Sequence, residues 1–194
     1  MSWTTAILEA DRTAFLAING CHAVWSDSLM LVVSARSTWV PLYLFFLYLL
    51  QRRYGWKVLL WAVPTIVLML LFSDSGSVLL FKETVQRLRP CHEPLLNGLV
   101  HLVPEGCGGR YGFVSSHASN HFAIVLFVIG ALRVPRWAAL LLLFWAGLIA
   151  YSRVYLGVHY PGDVLVGALY GGLIGSLFAR IFYTLIHRMN PVPA

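Results

Sequence analysis

Long apolar stretches separated by short charged segments limit how this chain can fold more than any other feature does. The main stretches are residues 39–50, 56–81, 116–132, 137–154 and 161–188. The chain is 59% hydrophobic and 11% charged, whereas a soluble domain is roughly half apolar and a quarter charged. This composition excludes an ordinary soluble domain and predicts a protein embedded in a lipid bilayer.

These stretches predict an all-α polytopic membrane helical bundle of five spans, in a single domain of residues 1–194. A membrane-spanning helix needs about 20 residues, so a chain of 194 residues has room for five spans, or for six. The span that begins near Trp56 is expected to continue as a helix to Arg89, where Pro90 stops it. Residues 4–19 place apolar side chains near one face, which predicts an additional interfacial helix at the N-terminus.

Basic residues near the ends of the expected spans predict the orientation of the chain. They follow spans one, three and five and are Arg52, Arg53, Lys57, Arg133, Arg136 and Arg188. Five alternating spans place them all on one side, which the positive-inside rule assigns to the cytoplasm. These flanking residues also account for the net charge of +6, so no nucleic-acid partner is expected.

Three charged segments lie between the apolar stretches, on the side that this topology places outside the cytoplasm. They are Lys82, six residues and Arg89-Pro90; Val114-Ser115-Ser116-His117; and Ser152-Arg153, five residues, His159, three residues and Asp163. Charged side chains at a membrane boundary are costly unless they pair or take part in function. The three segments therefore predict an active site.

The first two segments offer groups that suit a phosphate. On a helix, Lys82 and Arg89 would lie near one face, about 10 Å apart along the axis, where two cations can flank a phosphate group. Ser115 and Ser116 precede an apolar stretch, and the free N–H groups at a helix start bind anions. His117 beside them is placed to donate a proton.

The third segment offers a nucleophile. His159 and Asp163 are four residues apart across a helix start. A carboxylate that accepts a hydrogen bond from one imidazole nitrogen leaves the other nitrogen free to attack phosphorus. Arg153 supplies a third cation, and three cations can balance the charge that a metal would otherwise neutralise. No metal or other cofactor is therefore expected.

Each segment also has a structural interpretation. The basic residues of the first segment, Arg87 included, can mark the membrane interface by snorkelling. The serine pair can be an ordinary helix cap, and His117 can be an interfacial bystander. His159 and Asp163 can be an inert capping pair.

The ordered set of segments resembles the type 2 phosphatidic acid phosphatase superfamily, which includes membrane lipid phosphatases, soluble acid phosphatases and vanadium haloperoxidases. The first and third segments match in every defining position, whereas Val114 and Ser116 replace the usual Pro and Gly of the second. The resemblance implies that His159 is a nucleophile that forms a phosphohistidine, that Asp163 orients it, and that His117 protonates the leaving oxygen. It also implies a phosphate-binding group formed by Lys82, Arg89, Ser115, Ser116 and Arg153.

The resemblance implies a metal-independent lipid phosphatase that hydrolyses a phosphate or diphosphate monoester in a bacterial cytoplasmic membrane, with its site facing outward. Substrates of bacterial members include undecaprenyl diphosphate, phosphatidylglycerol phosphate, phosphatidic acid and lipid A phosphates. The outward-facing site favours undecaprenyl diphosphate as the first choice, and no obligatory protein partner is indicated. A lipid phosphotransferase would use the same residues, and a haloperoxidase fits the same motifs. A small channel or transporter would need neither His159 nor Asp163.

Asp74 lies within the second expected span, where an acidic side chain needs a partner. It predicts a supporting contact from the site to another span, or a structural hydrogen bond between helices. A channel or transporter would also explain an acid at this depth.

Cys91 and Cys107 both fall in the loop expected over residues 91–114. An extracytoplasmic loop is a place where disulfides persist, so the pair predicts a bond that tethers the first segment to the second. The alternative is that both thiols are reduced and incidental. Cys21 would remain free.

Overall fold

The computed structural model of the chain describes residues 3–103 and 106–189. Within these ranges the chain forms seven α-helices of at least 11 residues and no strand. They are α1 (Trp3–Gly20), α2 (Val24–Ser34), α3 (Val40–Tyr54), α4 (Leu59–Gly76), α5 (Ser116–Leu132), α6 (Arg136–Tyr155) and α7 (Pro161–Met189). The expected all-α bundle is confirmed. Residues 104 and 105 of the expected loop lie outside the described residues.

Three helical stretches of the described residues are long and apolar enough to cross a membrane. They are Trp56–Val85, Arg136–Tyr155 and Pro161–Arg188. α1 and α2 meet at 115° and would add a fourth crossing if the pair is one broken span. The spans expected at 39–50 and 116–132 correspond to α3, of 15 residues, and α5, of 17. Both are shorter than the ~20 residues of a full crossing, so the length criterion does not count them among the spans.

Local sequence accounts for several helix boundaries. Ser115 caps α5, because its hydroxyl accepts a hydrogen bond from the Ala118 N–H at 3.5 Å. Pro161 is the first residue of α7, where its fixed φ suits the first turn. Gly55 ends α3 at a φ of 84°, a backbone conformation that glycine adopts without strain.

The expected helix from span two to Arg89 is wrong, because the helix ends earlier. α4 continues through a π-helical turn at Ser77–Lys82 and a last short turn that ends at Val85. Gln86 then adopts a left-handed conformation with a φ of 51°. Lys82 and Arg89 therefore do not share one helix face.

A short extended pairing replaces the expected helix end. The Gly112 N–H donates to the Arg87 carbonyl oxygen at 2.9 Å, and the Arg89 N–H donates to the Arg110 carbonyl oxygen at 3.2 Å. The segment after α4 thus satisfies its backbone groups against the segment before α5. This pairing, and not helical periodicity, sets the position of Arg89.

α5 and α7 pack with their backbones in close approach. A Cβ atom on Gly171 would overlap the Ser119 carbonyl oxygen, and one on Gly175 would overlap the Ala123 carbonyl oxygen. The two glycines are four residues apart on one face of α7, a spacing that lets membrane helices approach closely. This contact holds the starts of α5 and α7 side by side.

The interior of the bundle is apolar, with a few hydroxyl contacts between helices. The largest fully buried side chains of the main core include Leu50, Met69, Phe127, Ile149 and Phe182. The Ser73 and Ser119 hydroxyls lie 2.6 Å apart and join α4 to α5. Hydrogen bonds of this kind hold membrane helices in register.

The basic clusters and the three motif segments occupy opposite ends of the bundle. α5 starts at Ser116 and ends at Leu132, whose carbonyl oxygen accepts a hydrogen bond from the Arg53 guanidinium. Arg133 lies over the ring of Tyr183 near the end of α7, with its Cζ atom 4.2 Å from the ring centroid. The clusters that follow α3 and α5 therefore lie together, away from the start of α5.

Candidate active site

His159 is the centre on which the three segments converge. It lies in the turn between α6 and α7 and is 2% exposed. Its Nδ1 atom is 3.3 Å from Asp163 Oδ2, and its Nε2 atom is 3.3 Å from Arg89 Nη1. The imidazole thus has a carboxylate on one side and a guanidinium on the other. With the Nδ1 proton held by Asp163, Nε2 carries the lone pair that can attack an electrophile.

The protonation state of His159 suits that role. Burial lowers the pKa of His159 to about 4, although the hydrogen bond to Asp163 acts in the opposite direction. A pKa below the ordinary 6.5 means that the imidazole is neutral near pH 7. A neutral imidazole is the nucleophilic form.

The Asp163 carboxylate is fully buried and bonded through both oxygens. Oδ2 also accepts from the Tyr160 N–H at 3.0 Å, and Oδ1 accepts from Arg87 Nη1 at 3.1 Å. The sequence predicts only an interfacial role for Arg87. The same Arg87 atom lies 2.7 Å from Asp11 Oδ2, a residue that no local pattern singles out because its partner is 76 positions away.

Lys82 and the serine pair lie where the end of α4 meets the start of α5. Lys82 Nζ donates to Ser116 Oγ at 2.9 Å, and Ser116 Oγ also lies 2.7 Å from Ser77 Oγ. Ser115 is buried, its hydroxyl oxygen caps α5, and its N–H donates to the Asp163 carbonyl oxygen at 3.0 Å. Ser115 therefore joins the second segment to the third.

Two further cations approach His159. Arg89 Nε is buried and has no hydrogen-bond partner within the described residues, which is unusual for a buried polar group. A phosphate oxygen would satisfy it. Arg153 lies in the last turn of α6, donates to Ser34 Oγ on α2, and acts on His159 through its charge. Arg89 and Arg153 therefore act on His159, whereas Lys82 contacts the start of α5 through Ser116.

His117 and Asp74 lie beside a cleft between α3, α4 and α5. The cleft has a volume of about 370 Å³ and is lined by Arg36, Tyr43, Val67, Leu70, Leu71, Asp74, His117, Asn120, His121 and Ile124. Asp74 Oδ1 accepts a hydrogen bond from Asn120 Nδ2 on α5 at 3.1 Å, so the contact between spans expected for this acid is present. The His117 ring lies beside that of His121, with 6.4 Å between the two ring centroids.

Cys91 and Cys107 form a disulfide with a Cα–Cα distance of 6.0 Å, and Cys21 is a free, exposed thiol. The bond holds the loop against the first segment, since a Cβ atom on Gly108 would lie 3.8 Å from Arg89 Cζ.

In the described part of the chain, one group has ligand atoms close enough for a metal, namely Cys91, His92 and Cys107. Its two sulfurs are already joined to each other.

Residues 65–187 match the family model described as PAP2 superfamily. This range is more than half of the chain and contains all three motif segments. The match therefore covers His159, Asp163 and the other residues of the three segments.

Relatives and solved structures are similar to the chain along most of its length. It is 38% identical to the lipid A 4′-phosphatase of Bacteroides thetaiotaomicron, over 95% of this chain and 84% of the relative. It is 33% identical to the lipid A 4′-phosphatase of Porphyromonas gingivalis, over 91% of this chain and 74% of the relative. The PAP2 type phosphatidylglycerolphosphate phosphatase of Bacillus subtilis superposes with a TM-score of 0.66 at 25% identity, covering 95% of this chain and 90% of that one.

Proposed function

The chain belongs to the PAP2 superfamily and is a membrane lipid phosphatase, and from that premise we propose that its substrate is the 4′-phosphate monoester of a lipid A type glycolipid. The support is that both lipid A 4′-phosphatase relatives match over most of the two chains. Undecaprenyl diphosphate, the first choice from the sequence, has no such support from these relatives and is the main competing substrate.

The position of His159 between Asp163 and Arg89 is the observation that supports nucleophilic attack on phosphorus. His159 Nε2 attacks phosphorus while the bond from phosphorus to the lipid oxygen breaks, and His117 donates a proton to that oxygen. Water then attacks the phosphohistidine, gives a proton back to His117, and releases inorganic phosphate. Asp163 keeps the Nδ1 proton in place through both steps.

A cluster of cations holds the phosphoryl group during these steps. Arg89 offers a planar guanidinium with an unsatisfied Nε donor, and Lys82 and Arg153 supply further positive charge. Preorganised cations of this kind stabilise the charge that develops on the phosphoryl oxygens. Ser116 Oγ, which accepts from Lys82 Nζ at 2.9 Å, keeps the ammonium group near the start of α5.

The cleft beside His117 suits a sugar as the leaving group. Its floor is apolar, at Leu70 and Ile124 among others, whereas Asp74 and Asn120 place polar groups near the histidine. An acylated sugar has hydroxyl and amide groups that such side chains bind, and acyl chains that lie along apolar surface. The leaving group of undecaprenyl diphosphate would instead carry a phosphate, which the Asp74 carboxylate would repel.

The orientation in the membrane is part of the proposal. The basic clusters that follow α3 and α5 lie together at the end of the bundle away from His159. The positive-inside rule assigns that end to the cytoplasm. The site then faces the extracytoplasmic side of a bacterial inner membrane, and its substrate approaches from the outer leaflet.

The test is phosphate release from defined lipids by the purified protein in detergent. The panel holds bis-phosphorylated lipid A, undecaprenyl diphosphate, phosphatidylglycerol phosphate and phosphatidic acid, with the His159→Ala variant as the blank. We expect lipid A to lose one phosphate, with mass fragmentation placing the loss at the 4′ position, at a higher kcat/KM than the other lipids. Faster release from undecaprenyl diphosphate would overturn the substrate. Transfer of the phosphate to a second lipid would identify a phosphotransferase.

A further inference from the structure

Arg87 bridges two carboxylates behind the proposed nucleophile. Its Nη1 atom lies 3.1 Å from Asp163 Oδ1 and 2.7 Å from Asp11 Oδ2. Its Cζ atom lies 3.8 Å from the centroid of the Tyr160 ring. The Arg87 and Asp11 side chains are only 16% and 12% exposed. The bridge is therefore largely shielded from water, unlike the exposed ion pairs that contribute little.

The buried Asp163 carboxylate needs such a partner. An ionised carboxylate out of water is stable only if it is paired and hydrogen-bonded. Oδ2 accepts from the Tyr160 N–H and lies 3.3 Å from His159 Nδ1, and Oδ1 accepts from Arg87 Nη1. Arg87 supplies the compensating charge, and so supports the tautomer of His159 that leaves Nε2 free, without touching the imidazole.

Asp11 holds both Arg87 and the start of α7. Its Oδ1 atom accepts a hydrogen bond from the Gly162 N–H at 2.7 Å. A Cβ atom on Gly162 would lie 2.8 Å from Asp11 Oδ2, so a larger residue at this position would displace the Asp11 side chain. α1 thus contributes a side chain that supports the turn carrying His159 and Asp163.

We propose that Asp11 and Arg87 are positioning residues for the phosphatase reaction, which hold the Asp163 carboxylate in the orientation that fixes His159 for attack. The inference rests on the nucleophile and orienting roles proposed above for His159 and Asp163. Arg87 Nη1 is committed to the two carboxylates, so its effect falls on turnover and not on phosphate binding. α1 is accordingly part of the active site.

The test compares Arg87→Gln, Arg87→Lys and Asp11→Asn with the parent chain. We expect Arg87→Gln to lower kcat about 100-fold, the size of loss that a misplaced reacting group causes, with KM and the inhibition constant of inorganic phosphate unchanged. Arg87→Lys keeps a cation and should restore part of kcat. Asp11→Asn should lower kcat by less than Arg87→Gln does, again without a change in phosphate inhibition.

Two matched variants control for the loss of a charge. Glu9→Gln removes a carboxylate from an exposed position on the same helix, and Arg110→Gln removes an exposed guanidinium from the segment paired with Arg87 and Arg89. Both should turn over like the parent chain. Membrane yield and thermal unfolding in detergent are measured for every variant. If the Arg87→Gln protein does not accumulate in the membrane, the positioning role is tested with Arg87→Lys and Asp11→Asn.

The possible outcomes separate this proposal from the one it rests on. Parental kcat in Arg87→Lys and Asp11→Asn would overturn the positioning role. A phosphate inhibition constant that rises as much as kcat falls would also overturn it, since Arg87 would then be a phosphate-binding residue. Turnover by His159→Ala would instead remove the roles of His159 and Asp163.

Discussion

Arg89 Nη1 lies 3.3 Å from His159 Nε2, although the two residues are 70 positions apart in the sequence. The guanidinium that can bind a phosphate oxygen and the nitrogen that can attack phosphorus therefore share one location. A phosphate held by Arg89 would therefore lie beside the nitrogen that attacks it.

The first prediction concerns the nucleophile. His159→Ala should abolish turnover and any acid-labile phosphoenzyme, because no other group near the phosphate replaces Nε2. Asp163→Asn should leave slight activity, with kcat reduced by up to about 10⁴-fold, as when an orienting carboxylate of a triad is lost. Radiolabelled phosphoenzyme, kcat and membrane yield are the measurements. Full turnover by a folded His159→Ala chain would contradict the mechanism.

Arg89→Lys tests the guanidinium beside His159. Lysine keeps the charge but loses the planar fork and the buried Nε donor, so kcat/KM should fall by roughly 100-fold or more, as for the loss of one donor to a developing charge. Vanadate should inhibit the variant less strongly. Arg110→Lys, in the adjacent paired segment, is the matched control and should behave like the parent. A parental kcat/KM in Arg89→Lys would remove the bidentate role.

The pH dependence should reflect the burial of His159. Burial lowers its pKa to about 4, so protonation disables the nucleophile only near and below that pH, and not near 6.5. The acid limb of kcat/KM should therefore have an inflection near pH 4 in addition to that of the substrate phosphate, whose second pKa is about 6. Phosphate and phosphorothioate substrates separate the two, since only the substrate inflection moves. An inflection near 6.5 common to both substrates would be inconsistent with a buried, neutral His159.

The third segment could be interpreted from the sequence because its geometry is local. His159 and Asp163 are four residues apart, and Pro161 starts a helix between them, so their contact follows from the turn itself. The helix boundaries of α5, α6 and α7 also lay within a residue or so of those expected. Continuous apolar stretches, bounded by a capping serine or by a proline, account for this accuracy.

The parts that could not be predicted depend on contacts between distant residues. Gln86 leaves the helix because the next residues pair with the segment near Tyr111, which bridges to Leu88. Helical periodicity therefore misplaced Arg89. The sequence predicts an interfacial charge at Arg87 and places Asp11 within the expected N-terminal helix, and nothing near either residue indicates that they meet beside Asp163.

The next prediction concerns metal ions. Lys82, Arg89 and Arg153 can balance the charge of a phosphate without a divalent cation, so turnover should be the same in EDTA as without it. Vanadate should inhibit, since it mimics five-coordinate phosphorus. Parallel assays with EDTA, with vanadate and with added divalent ions test both statements. Activity lost in EDTA and restored by a divalent ion would show that the cations do not suffice.

The disulfide gives the last prediction. Cys91 and Cys107 are 16 positions apart, and closing a loop of this length stabilises a fold by about 3 kcal/mol in the chain-entropy model. The bond also holds Gly108 against the Arg89 guanidinium. The double variant Cys91→Ser, Cys107→Ser should therefore unfold at a lower temperature and lose part of its kcat/KM, whereas Cys21→Ser should do neither. Thiol labelling of the unfolded, unreduced chain should detect one free cysteine, and three free cysteines would show that the loop is not closed.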